Sequence, residues 1–122
     1  MVNNKNHSPL YDLKQIQDLV RDRRYKVVNR RAHNNLASLG WDTACVQAFV
    51  ASLYADRPCF VKTRRQMKTA IGEIDVDCYV LSFNEDTLCE DRQDGLEFWI
   101  ELAIDPDDPA AAIVSIHLSG QP

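Results

Sequence analysis

The amino-acid sequence predicts an α+β domain, with three amino-terminal helices packed on an antiparallel sheet of about four strands. Two patterns predict it. Through the first half of the chain apolar residues recur every three or four positions, the spacing of an amphipathic helix. Beyond Phe60 they recur at every second position, the spacing of a strand with one buried face. Size agrees: 122 residues, 45% hydrophobic and 26% charged, suffice for one domain to bury a core unaided. Residues 1–122 are therefore read as a single domain, with residues 1–8 as a flexible tail.

Ser8-Pro9 has the form of an N-cap followed by proline at the first helical position. Leu10, Leu13, Ile16, Leu19 and Val20 then give a first helix to about Arg23. Tyr25–Val28 is a short extended piece. Asn29 caps a second helix with Ala32, Leu36 and Leu39 on one face, ended by Gly40. Asp42 caps a third, whose stripe is Val46, Phe49, Val50 and Leu53, and Pro58 stops it. Phe60–Lys68 is a candidate strand. In the next strand Ile74, Val76, Cys78 and Val80 are expected to face the core, and Asp75, Asp77 and Tyr79 to face away. A third has Leu96, Phe98, Ile100, Leu102 and Ile104 inward. In the last, Ala112, Val114, Ile116 and Leu118 alternate with Ile113, Ser115 and His117. The Asn84–Gly95 connection is acidic, and Asp105–Pro109 is a turn. Helices followed by strands place the helices on one face of the sheet.

Charge divides along the chain. Residues 1–68 carry a net +8 and residues 69–122 a net −12. The halves either neutralise each other on folding or present a basic face to a polyanion or acidic partner. The overall charge of −4 argues against a general nucleic-acid coat protein. No apolar run is long enough to span a bilayer, and Met1–His7 lacks the apolar stretch of a signal peptide, so no membrane partner is expected. Cys45, Cys59, Cys78 and Cys89 include no C-x-x-C pair and no histidine at ligand spacing. Reduced thiols in a cytoplasmic protein, without a metal, are the expectation. Phosphate-loop, dinucleotide, zinc-protease and nucleophile-elbow motifs are missing from the sequence, and no cofactor is expected. His7 falls in the tail and His33 on the polar side of a helix. Neither is expected to do chemistry.

Polar groups repeat on the side of the strands turned from the core. Lys62, Arg64, Gln66 and Lys68 alternate in one strand, Asp75, Asp77 and Tyr79 in the next, Glu97, Trp99 and Glu101 in the third, and Ser115 and His117 in the last. Metal-free RNA cleavage needs a base for the ribose 2′-hydroxyl, an acid for the leaving oxygen and cations for the phosphorane. Histidine is the side-chain type suited to proton transfer near neutral pH, which makes His117 the candidate carrier. Lys62 and Arg64 are placed to hold phosphate, Arg64 in bidentate fashion. Arg65 and Lys68 add charge for substrate binding, and Tyr79 and Trp99 offer rings on which a base can stack. The bland reading is that these cations neutralise Asp75, Asp77, Glu97 and Glu101 by cross-strand pairing, with His117 an ordinary surface residue.

In order and spacing the chain resembles the motility quorum-sensing regulator (MqsR) family, small ribonuclease toxins of bacterial toxin–antitoxin pairs. The resemblance runs from about Leu10 to Leu118. It includes Y-x-L-x-x-I-x-x-L-V (Tyr11 to Val20), R-A-x-x-N-x-x-x-L-G-x-D (Arg31 to Asp42) and V-x-x-x-V-x-S-L (Val46 to Leu53). Phe60-Val61-Lys62-Thr63 looks like the family's F-Y-K-S, and Ile113-Val114-Ser115-Ile116-His117 like its I-V-S-F-K. The resemblance implies a fold related to the RelE-type ribonucleases, metal-independent cleavage of mRNA, and neutralisation by a cognate antitoxin protein. It places the family's catalytic lysine at Lys62, its carboxy-terminal lysine at His117, and its penultimate-strand tyrosine at Trp99. The family's W-Q-D-V-Y appears as Asp75-Val76-Asp77-Cys78-Tyr79, which keeps the tyrosine and loses the glutamine. The rival reading is a catalytically silent protein-interaction module of the same fold.

Overall fold

Three side-chain caps set the helices in the computed structural model, which describes residues 8–120. Asp12 precedes α1 (Leu13–Arg21), Asn29 precedes α2 (Arg30–Leu39) and Asp42 precedes α3 (Thr43–Ser52). Each side-chain oxygen accepts from an amide of the first turn that the helix leaves without a partner. Gly40 closes α2 at φ 73°, a left-handed conformation open to glycine at little cost. The second and third helices begin where their caps predict. The first does not: Ser8 and Pro9 are irregular chain, and Asp12 is the cap. From Asp12 onward Leu13, Ile16 and Val20 all turn inward, whereas Leu10 is exposed. His7 and the rest of residues 1–7 lie outside the described residues. α3 ends at Ser52, ahead of Pro58.

Among the described residues the strands form one six-stranded sheet rather than about four. They are β1 (Tyr25–Val27), β2 (Phe60–Thr69), β3 (Gly72–Asn84), β4 (Cys89–Glu90), β5 (Leu96–Asp105) and β6 (Ala110–Leu118). The order is β1-β6-β5-β3-β2, with β4 on the end of β3. Every pairing is antiparallel except β1 with β6. The two extra strands have three and two residues, too few for alternation to reveal. α2 runs beside the part of β6 that β1 leaves unpaired, and Asn35 Nδ2 donates to the Ile116 carbonyl at 2.9 Å. α1 and α3 lie on one sheet face. There Ile16, Phe49 and Val50 pack on Tyr79, Phe83, Phe98 and Ile100. Trp41 joins them with its ring 4.9 Å from Phe98.

The opposite face is not free. The β2–β3 hairpin curls over it until the Ala70 amide donates to the Val28 carbonyl at 2.9 Å, beside the far edge of the sheet. Val28, Val76, Cys78, Ala103, Ala112 and Val114 form a second, smaller core beneath it, with Met67, Ile74 and Trp99 at its margin. β3 is consequently buried on both sides, and its expected facing is reversed. Tyr79, Leu81 and Phe83 point to the helices, and Val76 and Cys78 to the smaller core. Alternation fails to assign a face when both faces are apolar.

Candidate functional site

A cleft of about 400 Å³ opens on the sheet face turned from α1 and α3. Lys62 and Arg64 of β2, Trp99 and Glu101 of β5, and Ser115 and His117 of β6 line it. Asn29 and Arg31, at the start of α2, close one side. Two β-bulges aim the side chains there. Phe60, Lys62 and Arg64 have one parity and would share a face in a regular strand. Phe60 pairs with Tyr79 but Lys62 with Cys78, so one extra residue lies between. Phe60 stays in the main core while Lys62 and Arg64 turn to the cleft. In β6, Glu101 pairs with Ser115 and Leu102 with Ile113, which makes Val114 the extra residue. Ile113 keeps the helix side, and Ser115 and His117 take the other.

Glu101 sits at the centre of the polar contacts. It is 2% exposed, and its Oε2 accepts from Arg64 Nη1 at 2.8 Å and from Trp99 Nε1 at 2.8 Å. Its Oε1 has no hydrogen-bond partner among the described residues. His117 Nδ1 lies 2.7 Å from the Leu118 carbonyl oxygen. A carbonyl only accepts, so Nδ1 carries its proton and Nε2 is left for exchange. The His117 ring lies nearly parallel to Trp99, at 18° with centroids 6.5 Å apart. Arg31, Lys62 and Arg64 face the single carboxylate of Glu101, so the cleft is net cationic. The amino-terminal end of α2 adds the partial positive charge of its unpaired amides. The site therefore gathers cationic side chains, a proton carrier, a buried carboxylate and an indole.

The divided charge is neutralised in part on folding. Lys26 pairs with Asp105 and Asp108, Arg64 with Glu101, and Arg65 with Asp75, each joining the basic half to the acidic half. Arg31 and Lys62 form no ion pair among the described residues.

Three expected binding residues lie elsewhere. Arg65 Nη1 is 2.9 Å from Asp75 Oδ2, outside the cleft. A third bulge follows Arg64, with Gln66 at φ 56°, and it breaks the alternation that would have aligned Lys68 with Lys62. The shift turns Met67 to the smaller core and leaves Lys68 exposed, off the cleft. Tyr79 is completely buried against Phe60 in the main core and offers no stacking surface. Asp77, expected to face away, is buried and fastens the chain before α1. It accepts from the Leu10 and Tyr11 amides at 2.9 and 2.8 Å and from Thr63 Oγ1 at 2.7 Å. The Gln66 amide and Arg65 hold the Asp75 carboxyl below its ordinary range. Lys62, Arg64, Trp99 and His117 do meet.

The four cysteines are free; Cys45, Cys59 and Cys78 are buried and Cys89 is exposed. Burial, with Glu101 next, pushes the Cys78 thiol up to about 12, so it stays a neutral thiol beside the cleft. Asn29, Arg31, Glu101 and Ser115 line the cleft, and sequence reasoning gave none of them a part in binding or catalysis. The period of β5 already put Glu101 on the Trp99 face, but nothing in a linear sequence marks it as buried and incompletely paired. No helix among the described residues is long and apolar enough to cross a membrane. No protein-family model matches the chain, and neither does any curated protein.

Proposed function

We propose that this protein is a metal-independent endoribonuclease that cleaves mRNA, the toxin of a bacterial toxin–antitoxin pair with a RelE-related fold. One observation carries the reading: Lys62, Arg64, Trp99 and His117, drawn from three strands, line a single cationic cleft. Cleavage by the ribose 2′-hydroxyl places growing negative charge on the phosphorane, where fixed cations are most effective. Lys62 and Arg64 supply them, Arg64 through the guanidinium donors that Glu101 leaves free. Trp99 presents an indole to a nucleobase, a contact that tolerates any base. His117 exchanges a proton through Nε2, its tautomer held by the Leu118 carbonyl. Location in the cytoplasm and neutralisation by a cognate antitoxin belong to the same proposal, the first resting on the cysteine pattern and the second on the resemblance.

The test is induced expression in a bacterial host, with growth and bulk mRNA integrity followed together. Growth arrest with mapped mRNA fragments, abolished by Lys62→Ala and by His117→Ala in soluble folded protein, supports the reading. Normal growth with intact mRNA from soluble wild-type protein overturns it. It turns attention to a silent interaction module.

A further inference from the structure

We propose that Glu101 is the general base of this cleft and His117 its general acid, so that the enzyme cleaves RNA through a two-residue proton relay. The inference rests on the ribonuclease reading and deepens it. A carboxylate almost wholly removed from water normally fills the acceptor positions of both oxygens. Among the described residues Glu101 fills only those of Oε2, and Oε1 stands buried without a donor on a residue that lines the cationic cleft. A ribose 2′-hydroxyl is a donor of the kind that oxygen lacks. Position agrees with the assignment. Glu101 is opposite Ser115 in the ladder, and His117, opposite Trp99, is two residues further along β6. Diagonal neighbours on one face of an antiparallel pair stand about 7–8 Å apart, which leaves room for a phosphate between base and acid.

The step balances without a metal or co-reactant. Glu101 takes the 2′-hydroxyl proton and becomes a neutral acid. The 2′-oxygen bonds to phosphorus, the bond from phosphorus to the 5′-oxygen breaks, and the His117 imidazolium gives its Nε2 proton to that oxygen. The products are a 2′,3′-cyclic phosphate and a 5′-hydroxyl. Arg64 and the Trp99 indole N–H hold the carboxylate through Oε2, which leaves Oε1 to take the proton and the remaining guanidinium donors for the phosphate.

A short oligoribonucleotide carrying a cleavage site mapped in the growth experiment is the probe, together with a copy whose scissile 5′-oxygen is replaced by sulfur. Sulfur leaves without a general acid. His117→Ala should be slow on the first and recover on the second, whereas Glu101→Gln should be slow on both, by about 10²–10⁴-fold. Glu101→Gln keeps an acceptor for Trp99 and Arg64, and near-ultraviolet circular dichroism checks its fold. A second measurement needs no variant: wild-type protein should leave a 2′-deoxy linkage at the scissile position intact. Wild-type cleavage with Glu101→Gln within threefold of it overturns this inference alone, whereas cleavage of the 2′-deoxy linkage overturns it together with the 2′-hydroxyl attack. An intact oligonucleotide with wild-type protein overturns the ribonuclease reading, and this inference with it.

Discussion

Removing the Tyr79 hydroxyl should stabilise the protein and leave the cleft unaffected. The side chain is 0% exposed, its ring packs edge-on to Phe60 at 5.6 Å, and its oxygen has no hydrogen-bond partner among the described residues. Burial raises its pKa, as expected for a phenol with nothing to solvate its anion. An unpaired buried hydroxyl costs about 1–3 kcal/mol in lost hydration. Tyr79→Phe removes that cost and leaves a void of roughly 15 Å³, worth about 0.4 kcal/mol at about 24 cal/mol per Å³. The net gain is then about 0.6–2.6 kcal/mol, by the same two figures. For 122 residues the unfolding entropy is about 260 cal/mol/K, so the midpoint should rise by about 2–10 °C. Calorimetry with a parallel urea titration measures it. A midpoint lowered by about 4 °C or more would show that the hydroxyl is paired in solution and refute the reasoning. RNA cleavage by the same variant should equal wild type. A loss there would return Tyr79 to the substrate site.

Other predictions test the neighbouring contacts. A Cβ at Gly95 would press into the Asp91 carbonyl oxygen and stand 2.9 Å from the Phe83 backbone. Gly95→Ala should therefore destabilise by about 1–3 kcal/mol in urea titration. Lys26, with the Asp107 amide next, holds the Asp105 carboxyl below its ordinary 3.8, and Lys26 itself is raised by Asp105. A depressed carboxyl contributes stability that is complete above its unfolded value and is lost as pH falls through the lower folded one. Denaturation followed below about pH 4 should show that loss in wild type, and Lys26→Met should flatten it. Arg65→Ala and Lys68→Ala, both off the cleft, should leave the cleavage rate of a short RNA within about threefold, whereas Lys62→Ala should lower it by about tenfold or more. Equal losses from all three would mean that the substrate tracks along β2 rather than entering the cleft.

The legible part of this protein was local. Asn29, Gly40 and Asp42 fixed helix boundaries because capping is a transaction between a side chain and amides two or three residues away. Phe98, Ile100 and Leu102 disclosed their inward face because large apolar residues alternate there with Glu97, Trp99 and Glu101. Ser8-Pro9 misled for the complementary reason. A favourable cap means little without an apolar stripe that packs, and Leu10 stays half exposed.

From the sequence alone came the fold class, the two-residue period of the sheet, and the polar set from which the cleft is drawn. Which members of that set meet was decided by tertiary structure. The bulges at Val61 and Val114 turn Lys62, Arg64, Ser115 and His117 to one side, and the bulge at Gln66 turns Lys68 away. An extra residue in a strand reverses every face beyond it, and it is seen only in the register with a neighbour. The same limit hid Tyr79 and Glu101. Their burial follows from the hairpin that curls over the sheet and the helices that cover its other face, long-range packing that no run of adjacent residues encodes.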